Sequence, residues 1–220
     1  MNIVLIGGGT QVSYSIDIIE KQNSHTIVGI IDSYKMIGDV LFGYNVIGRQ
    51  DEINELVEEY NIEGCVITIG DNWSRKKVYD QISKLAPDVA WPNVLHPSVI
   101  IANHVTMGKG ILAMAGVIIN SGAYLGDFTN YFTNSNVEHD CFIDDFASIS
   151  AGVVLGGKVR VGKYSAVALN ATVFDRLTIG ENSVIGAASL VTKDISDNVL
   201  AYGNPAKVIR GRDVGEKFLN

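Results

Sequence analysis

The chain has 220 residues, 47% hydrophobic and 19% charged, enough to bury one large core or two small ones. A net charge of −7 excludes a nucleic-acid binder that works by neutralising phosphates, because that task needs a basic face. No apolar run is long enough to cross a bilayer. The opening Met1 to Ile6 lacks the charged start and cleavage region of a secretory signal. Cys65 and Cys141 stand far apart, in no metal-ligand spacing, and read as reduced thiols. A cytoplasmic protein without a metal centre is expected.

Taken in order, Ile3 to Ile6 predicts a short buried strand, followed at once by Gly7-Gly8-Gly9. Val12, Ile16 and Ile19 share one face of a helix from Val12 to about Lys21. Thr26 to Ile31 is a β-branched strand ending at Asp32, and positions 33–50 read as irregular. Ile53, Leu56, Val57 and Tyr60 have helical spacing over Asp51 to Tyr60. Cys65 to Ile69 predicts a third strand, closed by Gly70-Asp71-Asn72. A last helix runs from about Ser74 to Leu85 and stops before Pro87. This alternation predicts a small Rossmann-like α/β domain over 1–92, with ligands at the carboxyl ends of its parallel strands. Those ends carry Gly7, Gly8, Gly9, Thr10, Asp32, Gly70 and Asn72. The glycines allow close approach of a phosphate to a helix N-terminus. They also suit a tight turn with no ligand, because Val12 breaks the full G-x-G-x-x-G fingerprint.

From about Leu95 to Ser196 a six-residue repeat keeps phase without an insertion. Its first positions run Ile101, Met107, Ala113, Ile119, Leu125, Tyr131, Val137, Ile143, Ile149, Leu155, Val161, Val167, Val173, Ile179, Ile185 and Val191. Second positions are rich in Gly, Ala and acids, and fifth positions are mostly small or β-branched. Hexapeptide repeats of this kind belong to parallel β-helices, whose coils bury their apolar faces only by stacking. A second domain, an all-β parallel β-helix, is therefore expected over 93–220. One hexad departs from the pattern with Glu138-His139-Asp140. His139 is the one histidine of four flanked by carboxylates. A neutral imidazole can accept a proton from an attacking nucleophile, and a neighbouring carboxylate can orient it. A solvated surface histidine is the plain alternative.

The repeat resembles the left-handed β-helix acyltransferases, in which three hexads make one triangular coil. Residues eighteen apart then stack, which places Gly157 beside His139. The expectation at that point is an open space for an acyl carbonyl, with an accessible backbone N–H to hold an oxyanion. Gly203-Asn204-Pro205-Ala206-Lys207 resembles the G-x-P-A-K segment of acetyl-CoA-dependent members; it also suits an end cap. The stretches at 69–77, 93–98 and 137–141 resemble those of bacterial nucleotide-sugar acetyltransferases of the bacillosamine-pathway and sialic-acid O-acetyltransferase type.

That resemblance implies a fold and an activity. The expected reaction is direct transfer from acetyl-CoA to the amino group of a nucleotide-linked amino sugar, in surface-glycan biosynthesis. His139 is the implied base, Asp140 its orienting carboxylate and Glu138 the second choice. Gly157, Ala187, Pro205 and Lys207 fall to the coenzyme, and the N-terminal strand ends to the nucleotide sugar. A homotrimer is implied. Three departures from the family pattern stand out, one of them Phe132-Thr133, where many relatives read N-T before the 137–141 stretch. Gln11 stands where relatives carry a loop histidine. Ser148 stands where many carry a second histidine nine residues after the first. Sugar O-acetylation and a non-catalytic nucleotide-sugar-binding protein are the alternative functions.

Overall fold

The computed structural model describes residues 1–218. The chain divides after Pro97 into two compact units, a few residues past the junction expected at Pro92. The first unit contains β1 (Asn2–Ile6), α1 (Gln11–Gln22), β2 (Thr26–Ile31), β3 (Val40–Leu41), β4 (Tyr44–Gly48), α2 (Ile53–Glu59), β5 (Gly64–Ile67) and α3 (Asn72–Leu85). Its sheet has the order β3-β4-β2-β1-β5. β1, β2, β4 and β5 run parallel. The apolar residues of β1 are fully buried, as a parallel strand covered on both faces requires.

The stretch expected to be irregular holds β3 and β4, an antiparallel hairpin. Phe42 (φ 51°) and Gly43 (φ 89°) form its two-residue turn. Positive φ at both central residues matches the right-handed twist of the flanking strands. Phenylalanine rarely takes that conformation, which is why the turn was not legible.

The second unit is a left-handed parallel β-helix. Every first-position residue from Ile101 to Val191 is the second residue of a two-residue strand, and those strands form three sheets. Each strand pairs in parallel with the one a coil away, as in Ile119↔Val137↔Leu155. First- and fifth-position side chains fill the interior: Val137, Ile143, Ile149, Leu155, Val161 and Ala147 are fully buried. Tyr131 is also fully buried, and its partner in register, Ala113, is small. The strands Val199–Gly203 and Ala206–Gly211 form an antiparallel hairpin that joins the sheet through Val184–Ile185 and covers the end of the solenoid.

The corners follow a rule that composition hides. The fourth residue of each hexad, from His104 through Ala188, has a left-handed backbone. Asn134, Asp140, Asn170 and Asn182 suit it. Phe128, Phe146, Lys158, Tyr164 and Arg176 adopt it as well, at roughly 1–2 kcal/mol each. Stacking between coils offsets part of that cost. The rings of Phe128 and Phe146 stack at 5.2 Å, and those of Phe146 and Tyr164 at 5.8 Å.

Candidate functional site

His139 lies on one corner of the β-helix, in the turn after strand Asn136–Val137. Its Nδ1 is 3.0 Å from Asp140 Oδ2, and both side chains are about half exposed. An Nδ1–H donated to Asp140 leaves the lone pair on Nε2. That hydrogen bond, with the charges of His139 and Lys158, holds the Asp140 carboxyl below its usual range. Two glycines make room for the pair. A Cβ at Gly157 would lie 2.5 Å from His139 Nε2, and one at Gly122 would collide with Asp140 Oδ1.

Glu138 has a different task. Its Oε1 accepts from Asn136 Nδ2 and its Oε2 from Asn120 Nδ2, both at 3.1 Å. Both its oxygens are engaged by amides, and the carboxylate that meets His139 Nδ1 is that of Asp140. Both asparagines escaped the sequence reading, although Asn120 stands eighteen residues before Glu138 and so shares its column. Cys141 donates to the Gly156 carbonyl at 3.1 Å, and burial pushes its thiol up to about 11, which keeps it from acting as a thiolate.

Two expectations about Gly157 require correction. The space over it is not open: the imidazole ring itself lies there. Nor is its N–H accessible, because it donates to Asp175 Oδ1 at 3.0 Å. The cause is a device that several turns share. An aspartate one coil on accepts the N–H of Lys109, Asp127 and Glu181 in the same manner.

The other residues assigned to the coenzyme are not brought to this corner. Ala187 is exposed in a different corner column, where the next residue, Ala188, donates its N–H to Leu169. Pro205 and Lys207 are exposed on and beside the capping hairpin, where Lys207 pairs with Tyr202. Ser148 is fully buried and carries no second base.

In the first unit, the loop between β1 and α1 is open at Gly9 and Thr10, both exposed. A Cβ at Gly9 would meet nothing within 4 Å, whereas Gly8 is covered by the side chains of Lys35 and Leu41. Thr10 makes no side-chain cap, and of the first-turn N–H groups of α1 that of Val12 donates to the Gly9 carbonyl at 3.2 Å. Gln11 is buried, and neither polar atom of its carboxamide has a partner.

Asp32, a candidate either for a sugar or base or for closing a turn, braces its own loop. Its Oδ2 accepts the Gly8 N–H at 2.6 Å and its Oδ1 accepts those of Tyr34 and Lys35. Asn72 is likewise buried and accepts from Arg75 Nη2 at 2.9 Å. Arg75 is the hidden centre of this end of the sheet. It donates from Nη1 to the carbonyls of Ile69 and Gly70, and burial lowers its pKa to about 9. Arg75→Met would strand those carbonyls, and a loss of about 3 kcal/mol in denaturant unfolding is expected.

Among the described residues, no cluster of His, Cys, Asp or Glu is arranged to hold a metal ion, and no helix is long and apolar enough to cross a membrane.

Comparison with known proteins follows the same division. Residues 2–82 match the PglD N-terminal domain family. A putative acetyltransferase of Staphylococcus aureus is 31% identical over 189 residues, 81% of this chain and 90% of the relative. The acyl-[acyl-carrier-protein]–UDP-N-acetylglucosamine O-acyltransferase of Campylobacter concisus is 27% identical over 141 residues, 64% of this chain; the alignment spans only 53% of that enzyme. Among solved structures, a histidine-to-asparagine mutant of perosamine N-acetyltransferase from Caulobacter crescentus, in complex with CoA and GDP-perosamine, superposes with a TM-score of 0.90. It is 29% identical, with 96% of this chain and 97% of that one covered. The chain therefore belongs to an acetyltransferase family, with a PglD-type N-terminal domain ahead of a left-handed β-helix.

Proposed function

We propose that this protein transfers an acetyl group from acetyl-CoA to the amino group of a nucleotide-linked amino sugar, with His139 as the general base. The observation that carries this reading is the His139–Asp140 pair, in which Nδ1 meets the carboxylate and Nε2 lies beside a residue without a side chain. The Caulobacter relative, seen with CoA and GDP-perosamine, supports the substrate class.

The amine lone pair attacks the thioester carbonyl carbon and a C–N bond forms. His139 Nε2 takes the ammonium proton, directly or through a water. The tetrahedral intermediate then expels the CoA sulfur, and the imidazolium can return its proton to the departing thiolate. Asp140 keeps Nδ1 protonated and stabilises the imidazolium. The open glycine loop and first turn of α1 receive the diphosphate of the nucleotide sugar. We place the enzyme in the cytoplasm as a homotrimer acting in surface-glycan synthesis, a state that light scattering would check.

Asp140→Asn keeps the shape but removes the charge. A kcat at least roughly tenfold lower is expected, with both KM values little changed. Steady-state kinetics would check this.

The similarity to a UDP-N-acetylglucosamine O-acyltransferase keeps a hydroxyl acceptor as the second reading. The deciding assay combines acetyl-CoA with UDP-, GDP- and dTDP-linked 4-amino sugars and treats the product with hydroxylamine. An amide survives and supports N-transfer. A cleaved product identifies an ester, and absence of transfer to every acceptor removes the proposal.

A further inference from the structure

The amide of Gly157, the residue packed against Nε2 of His139, is already engaged. The Gly157 backbone lies under the imidazole, and its N–H is held by Asp175 Oδ1 at 3.0 Å. The adjoining groups are committed to the coil ladder: Lys158 N–H donates to the His139 carbonyl, and the Gly157 carbonyl accepts from Arg176 N–H. The Gly157 N–H, by contrast, is tied to a side chain, and that side chain, Asp175, is exposed. A ladder bond between coils cannot be exchanged without parting them. An exposed carboxylate can rotate into water.

We propose that Asp175 shutters the acyl site by holding the Gly157 N–H, so that an acyl carbonyl must displace its carboxylate before that amide can polarise the carbonyl oxygen. The inference rests on the proposed acetyl transfer at His139. Its physical basis is a competition between acceptors for one donor. A carboxylate is a stronger acceptor than a neutral thioester oxygen, so it prevails before the donor arrives. The bound carbonyl competes for the N–H from the outset, and as negative charge grows on its oxygen it repels the carboxylate and wins the donor outright. The sites of Asp127, Asp145 and Asp197 contain the same tie, but the N–H donors there do not lie beneath a histidine. Asp175 therefore combines a structural tie with control of the site.

The test uses the intact protein and two variants. Asp175→Asn retains a carbonyl acceptor for the Gly157 N–H, so the turn keeps its tie while the charge is removed. Asp175→Ala removes both. Calorimetry measures Kd for acetyl-CoA and for CoA, which lacks the acyl carbonyl. Both variants should improve the preference for acetyl-CoA over CoA by about threefold to tenfold, and Asp175→Asn should unfold at the wild-type midpoint. With an active acceptor, kcat/KM for acetyl-CoA should rise while the acceptor KM stays constant. An unchanged acetyl-CoA to CoA ratio in both variants, with both ligands bound, overturns the shutter and leaves the acetyl-transfer reading intact. Failure of the wild type and both variants to bind either ligand overturns that reading and the shutter with it.

Discussion

Replacing His139 with alanine is expected to lower kcat by about 10²–10⁴-fold, the usual worth of a positioned general base. The side chain is half exposed and lies on a corner, so its loss opens no cavity in the core. Thermal unfolding should therefore stay close to wild type, and Kd for the nucleotide sugar should hold. Residual activity is expected, because bringing two substrates together contributes independently of the base. His139→Asn separates shape from chemistry: it can still meet Asp140 but cannot accept the amine's proton at neutral pH. Wild-type kcat in either variant at saturating substrates removes His139 from the role.

The second large effect comes from a residue with no functional group. Gly157 is not among the positive-φ positions, so alanine fits its backbone without strain. The obstacle is the imidazole: a Cβ would lie 2.5 Å from Nε2 and 2.8 Å from Cε1. The ring is half exposed and free to swing outward, so Gly157→Ala should change stability by less than about 1 kcal/mol. It should nevertheless lower kcat by roughly 10²-fold or more, because a base moved by an ångström no longer reaches its proton. The double variant with His139→Ala should be no slower than the worse single variant, since both remove the same contact. Additive losses would mean that Gly157 acts on something other than the imidazole.

The phase of the β-helix was fully legible in the sequence. An inward aliphatic side chain every six residues is a local pattern, and burial makes it strict; that is why Ile101 through Val191 fall in register with the strands. The nine-residue step to Ser148 was legible as well, in the negative sense that no second histidine stands there. The left-handed corners were not. Phe128, Lys158, Tyr164 and Arg176 occupy a conformation their own propensities resist, and only the stacked coils impose it. The hairpin of β3 and β4 was lost for a related reason, since Phe42 conceals the turn.

At the site, the sequence placed a histidine beside a carboxylate and, by counting eighteen, put Gly157 next to that histidine. What it could not assign was the use of each polar atom. Asp32 and Asn72, candidates for ligand contact, brace their own loops; Gly157, expected as an open donor, is tied to Asp175; and the buried Arg75 holds two carbonyls that the sequence did not mark. The physical reason lies in the range of the two interactions. Apolar burial follows a repeating pattern along the chain, so the amino-acid sequence alone determined the coils, their phase and the adjacency of His139 and Asp140. A hydrogen bond depends on a fraction of an ångström between groups one coil or one strand apart. The tertiary structure therefore decided which carboxylate serves the imidazole, which holds a turn, and which amide is left to be contested.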